Sequence, residues 1–185
     1  MLVTGGDTGM GEEIIRELFK HNSKVYMAAR SREKALAAIA ELKTETGKEA
    51  HFIELDLSSL ASVRKTAEEF LSKEEALHAL FNNAGVVWAA VRDVTADGYD
   101  LQLGMNVLAP FFLSQLLLPA LLRGIVSSSD GSAHGPKRRR LSEFYNQSKL
   151  ADVLVAYKLV RRYGEQGFVA AQRSRNVETG LMRQY

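Results

Sequence analysis

Short apolar runs alternate along this chain with longer stretches whose apolar residues recur at helical spacing. Ile14, Ile15, Leu18 and Phe19 share one helical face, and the run "KVYMAA" reads as a strand. Ala35, Leu36, Ile39 and Leu42 mark a second helix, "HFIEL" a further strand, and Val63, Ala67, Phe70 and Leu71 a third helical face. "LHALF" predicts a strand, the stretch from Met105 to Leu122 a long apolar helix, and "GIVSS" a fifth strand. A helix through Tyr145 to Tyr163 and a strand at "GFVAAQ" follow. A helix between consecutive strands carries the chain back to its starting edge, so the next strand runs parallel and the helices cover both faces. The expectation is a doubly wound α/β sheet, a Rossmann fold, in a single domain over residues 1–185, with neither repeat nor linker.

Composition narrows the chemistry by exclusion. The chain has no cysteine, which removes disulfides, thiol catalysis and most structural zinc sites. His21, His51, His78 and His134 are scattered without metal-ligand spacing, so no metal is expected. A net charge of +2 gives no bulk argument for nucleic acid, and "PKRRR" at Pro136 to Arg140 reads as a solvated loop. The apolar stretch from Met105 to Leu122 is broken by Asn106, Pro110, Ser114, Gln115 and Pro119, which suits a core helix better than a membrane span. No secretory signal precedes the first glycines, and a cytoplasmic setting is expected.

Between the first strand and the first helix stand Gly5, Gly6, Gly9 and Gly11. The N–H groups at a helix start attract an anion, and glycines let a phosphate approach the main chain. A Walker loop is excluded, because Glu12 and Glu13 stand where Lys and Ser or Thr would be needed. About 20 positions beyond the loop, where dinucleotide folds read the ribose, the chain has Arg30 and no acid. That residue suits a 2′-phosphate, so NADP(H) is favoured over NAD(H). Asp7 brings negative charge close to the same place.

Further landmarks occur in a set order. They are Thr4-Gly5-x-x-x-Gly9-x-Gly11, "LDL" with Asp56, "NNAG" from Asn82 to Gly85, "TADGYDLQLGMN" with Asn106, "SSSDG", and Tyr145-x-x-x-Lys149. Together they resemble the short-chain dehydrogenase/reductase family, in its retinol-dehydrogenase-like branch, over nearly the whole chain. The resemblance implies cofactor contacts from Gly5, Thr8, Gly9, Met10, Gly11, Arg30, Asp56, Asn82, Ala84, Gly85, Tyr145, Lys149 and Thr179, with Asp56 at the adenine. It also implies a small alcohol or carbonyl as substrate and a homodimer as a plausible assembly.

The residue types suit that activity. Tyr145 and Lys149 share a helical face. A free phenol has a pKa near 10, and a neighbouring ammonium lowers it toward the working range. Tyr145 is therefore the acid/base and Lys149 its tuner, the latter also holding the nicotinamide ribose in the family. The family's serine pattern implies that Ser129 orients the substrate oxygen, with Ser128 as the alternative. Pro110 has no N–H for the Asn106 carbonyl, which frees that oxygen for the water relay the family assigns to this asparagine.

The chain also departs from the family pattern. Only Met1, Leu2 and Val3 precede the loop, and only Arg123 separates the apolar helix from "GIVSS". Ser174 and Arg175 stand where the family has Pro and Gly, and no residues follow Tyr185 to build a last strand. Two functions therefore stay open. One is an oxidoreductase with a Ser-Tyr-Lys site; the other is a truncated, catalytically impaired relative that binds dinucleotide or a protein partner. A short form, a fragment and an imperfect gene model all fit these departures.

Overall fold

The computed structural model describes residues 1–127 apart from Trp88 and Val91. β1 (Leu2–Thr4), β2 (Tyr26–Ala29), β3 (His51–Glu54) and β4 (Leu80–Phe81) form one parallel sheet in the order β3-β2-β1-β4. The helices α1 (Gly9–Lys20), α2 (Arg32–Thr46) and α3 (Leu60–Lys73) connect successive strands. After β4 a loop leads to a three-residue turn, α4 (Leu101–Leu103), then a π-helical turn (Gly104–Leu108) and α5 (Ala109–Ser127). The parallel α/β fold expected from the alternation is the one that forms.

Side chains on successive strand residues point to opposite faces, and here both faces are covered. Leu2, Tyr26, Ala28 and Ile53 pack with Val63 and Phe70 of α3 and Leu113 and Leu117 of α5. Val3, Met27 and Ala29 pack with Ile15 and Phe19 of α1 and Ile39 and Leu42 of α2. A strand buried on both sides has no polar face, which is why these segments read as continuous apolar runs. Leu36 lies one helical step off the stripe of Ala35, Ile39 and Leu42 and is 47% exposed, while Ala38 turns inward in its place. On α3, Leu71 is exposed likewise and Thr66 is buried.

β4 is shorter than "LHALF" predicts. Its partner β1 has only three residues, which leaves the register Leu2↔Leu80 and Val3↔Phe81. The Leu77 N–H donates instead to the Ala120 carbonyl of α5, at 2.9 Å.

The fifth strand expected at "GIVSS" is corrected more sharply, because Gly124 to Ser127 continue α5. Connections from a helix back to a sheet use about two to six residues. Arg123 alone cannot end a helix and reverse the chain.

By length and composition, Leu101–Gly124 could cross a membrane. In the fold, its Leu113, Leu117 and Ala120 are fully buried in the core shared with the sheet and α3.

Candidate functional site

The strand order reverses between β1 and β4, since the chain builds β2 and β3 on one side of β1 and returns to place β4 on the other. In parallel sheets a crevice opens beyond the carboxyl ends of the strands at such a reversal. The loop from Gly5 to Thr8 follows β1 at that edge, Arg30 follows β2, Asp56 follows β3, and Asn82 to Gly85 follow β4.

The glycines permit close packing there. Gly5 adopts φ +62°, and a Cβ at this position would stand 3.0 Å from that of Ala84. At Gly11 a Cβ would land on the Gly5 carbonyl oxygen and 2.7 Å from Asn83 Nδ2. Helix α1 is thereby drawn against the loop and against the segment after β4.

The start of α1 differs from those of the next two helices. Ser31 and Ser59 cap α2 and α3 by accepting from the Lys34 and Ser62 N–H groups. Thr8 is extended (φ −156°, ψ 152°), and its side chain makes no capping bond. Thr8 and Gly9 are exposed, and Met10 is half-buried. Among the described residues no side chain caps these main-chain donors at the positive end of the helix dipole, an arrangement that fits a pyrophosphate.

Two side chains hold this cradle. The Thr4 hydroxyl, on a residue only 1% exposed, accepts from the N–H groups of Asn83 and Ala84 (both 3.0 Å) and donates to the Phe81 carbonyl (3.2 Å). Asn83 Nδ2 donates to the carbonyls of Thr4 (3.1 Å) and Gly5 (3.2 Å). Sequence reasoning points to Asn82, Ala84 and Gly85 and passes over Asn83. The available signal was Thr4 itself, a polar residue ending a buried strand, whose hydroxyl had to find partners.

The exposed Asn82 donates through Nδ2 to Ser114 Oγ at 3.1 Å, and Ser114 in turn donates to the Pro110 carbonyl at 2.8 Å. Asn106, 3% exposed in the π-helical turn, pairs twice with the main chain of Val86. Its Oδ1 accepts from the Val86 N–H and its Nδ2 donates to the Val86 carbonyl, both at 2.8 Å. The wider turn accommodates Pro110, which has no N–H to offer.

Charges around the edge are sorted by partner. Glu12 and Glu13 lie against Arg16, at 2.8 and 2.5 Å, and Arg16 also reaches Glu45 of α2 at 2.8 Å. These contacts, Glu45 foremost, raise the Arg16 pKa above its ordinary value. The acids that follow the glycines are therefore compensated locally. Arg30 is exposed and forms neither ion pair nor hydrogen bond among the described residues. Arg32 lies over the Phe52 ring, 5.3 Å from its centroid. Asp56 Oδ1 accepts from the N–H (2.8 Å) and the hydroxyl (2.7 Å) of Ser58. Ser129, Tyr145, Lys149 and Thr179 lie outside the described residues.

The profile of the short chain dehydrogenase family matches residues 1–174. The chain belongs to that family. A short-chain dehydrogenase/reductase of Armillaria gallica is 49% identical over 191 residues, which cover 92% of this chain and 62% of the relative. Retinol dehydrogenase 11 of Homo sapiens is 37% identical over 177 residues, or 88% of this chain and 55% of its own length. The chain thus spans less than two thirds of these curated relatives.

Solved structures agree with the fold. The Pseudomonas aeruginosa RhlG/NADP active-site complex aligns with a TM-score of 0.69 at 29% identity, over 89% of this chain and 67% of that one. A short chain dehydrogenase from Escherichia coli CFT073 complexed with NADPH gives 0.69 at 26% identity, over 89% and 71% of the two chains. In this member of the family, the glycine loop, Arg30, Asp56, the Asn82–Gly85 segment and Asn106 are brought together along or behind one edge of the sheet.

Proposed function

We propose that this short-chain dehydrogenase is an NADP(H)-dependent oxidoreductase that interconverts an alcohol and a carbonyl. The observation carrying the reading is the uncapped start of α1, packed through Gly11 against Gly5 and Asn83 at the strand-order reversal. The exposed Arg30 at the end of β2 supports a 2′-phosphate over a free ribose hydroxyl, and the solved neighbours include complexes with NADP or NADPH.

In this reading the main chain from Gly5 to Gly11 would hold the pyrophosphate and Asp56 the adenine, with Asn82, Ala84, Gly85 and Thr179 as further contacts to the dinucleotide, which would supply the hydride chemistry when bound. Tyr145 passes a proton to or from the substrate oxygen, and Lys149 lowers its pKa so that the exchange runs near neutral pH. Ser129, or Ser128 in its place, donates a hydrogen bond that orients that oxygen. The Asn106 carbonyl, which Pro110 cannot engage, holds a water that relays protons toward Lys149.

The test is turnover of a panel of aldehydes and alcohols with NADPH or NADP⁺ by the wild-type chain and by Tyr145→Phe. Loss of at least 100-fold in the variant is expected, within the range general acid–base catalysis supplies. Equal turnover by the two proteins refutes the mechanism.

One observation favours a second reading, a relative that binds dinucleotide with impaired catalysis. Gly124 to Ser127 are helical where the strand leading to Ser129 was expected. NADPH binding by the wild-type chain without any turnover selects this reading.

A further inference from the structure

Between Asp93 and Asp100 the loop after β4 folds back on itself. Val94 bridges Asp100 in antiparallel fashion, the Thr95 N–H donates to the Tyr99 carbonyl (2.8 Å), and the Tyr99 N–H donates to Thr95 Oγ1 (3.1 Å). Thr95 is 5% exposed, so this small hairpin is seated on the fold rather than free of it. Its far end starts the next helical segment, since the Leu103 N–H donates to Asp100 Oδ1 at 2.8 Å and the Leu101 N–H to the Asp93 carbonyl at 3.0 Å.

The hairpin tip lies across the start of α3. The Ala96 N–H donates to the Ser58 carbonyl at 2.8 Å, and Asp97 Oδ2 accepts from the N–H of Leu60, the first residue of α3, also at 2.8 Å. The helix's own cap, Ser59 Oγ to the Ser62 N–H, is longer at 3.4 Å. The closer acceptor therefore comes from residue 97, and as an acidic side chain it sits where the dipole favours negative charge. These two contacts grip Ser58 and Leu60, the neighbours of Ser59 on either side. Ser58 is also the residue that gives both its N–H and its hydroxyl to Asp56.

We infer that Asp97 is a positioning residue for the adenine end of the dinucleotide site. It clamps the turn between Asp56 and Leu60 from outside, so that the Asp56 carboxylate is already oriented when the cofactor arrives. Ordering a turn in advance removes that cost from binding, and the benefit appears as affinity. This inference rests on the assignment of Asp56 to the adenine.

The experiment compares NADPH titrations and thermal unfolding of the full chain as wild type, Asp97→Ala, Asp97→Asn and Ser59→Ala. Asp97→Ala is expected to weaken NADPH about fivefold to tenfold, the affinity equivalent of a lost helix cap. Asp97→Asn keeps a side-chain oxygen that accepts, and it stays within about threefold of wild type. Ser59→Ala weakens the same helix start without moving the hairpin, so it lowers the Tm and leaves the NADPH affinity unchanged. Wild-type affinity in Asp97→Ala overturns the inference, and so does an equal loss in Ser59→Ala. If the wild-type chain itself does not bind NADPH, the reading of the whole site fails, a result distinct from either of these.

Discussion

A single hydroxyl, that of Thr4, serves three main-chain groups at the mouth of the site. Thr4→Val has nearly the same shape but leaves the Ala84 N–H without its acceptor, while the Asn83 N–H keeps the Phe81 carbonyl at 2.9 Å. A buried donor left unpaired costs about 1–3 kcal/mol. Urea unfolding of Thr4→Val should therefore show a loss of about 1–3 kcal/mol, and Thr4→Ser should recover most of it. Arg30 presents the opposite case, an exposed side chain with neither ion pair nor hydrogen bond among the described residues. Arg30→Ser should keep wild-type stability and NADH affinity while weakening NADPH by about 10- to 100-fold, the scale of one lost bond to a charged group. Unchanged discrimination between the two cofactors in paired titrations would exclude Arg30 as the reader of the 2′-phosphate.

Among the elements, α3 is tied at its far end to β2. The buried Tyr26 donates its hydroxyl to Glu74 Oε1 at 2.6 Å, and Lys24 pairs with the same carboxylate. Lys24 first and Tyr26 second hold the Glu74 carboxyl below its ordinary value of 4.5. Burial first and Glu74 second raise the Tyr26 phenol, so donor and acceptor keep their roles near neutral pH. A lowered carboxyl pKa contributes stability in full above the ordinary value and loses it as pH falls through and below that value. Glu74→Gln should lower the Tm at pH 7 and flatten its decline between about pH 5 and 3, as followed by circular dichroism.

These same elements show what periodicity can and cannot report. The strands and the first three helices follow from apolar spacing, because burial on one face or on two leaves a local signature. The π-helical turn around Asn106 and the helical state of Gly124 to Ser127 leave none. The first depends on two bonds to Val86, and the second on how few residues are available to turn.

For the molecule as a whole, two apolar layers enclose a sheet whose carboxyl edge carries the described part of the site. A ligand that binds only the folded state adds stability set by its concentration over its Kd. At 100 times the Kd that is about 2.7 kcal/mol. For a chain of this size NADPH should raise the Tm by about 5–11 °C. NADH at the same concentration should raise it less, and a differential scanning fluorimetry series in both nucleotides checks the order.

The glycines, the strand–helix rhythm and the Tyr145–Lys149 spacing are local patterns, and the amino-acid sequence by itself determined the family and the α/β class through them. Local pattern says nothing of which distant groups meet. Thr4 with Asn83, Asn106 with Val86 and Asp97 with Leu60 are pairings across folded chain. Only the placement of β4 beside β1, and of α5 against α3, decided them. Buried polar groups must find partners, and packing chooses which ones are within reach.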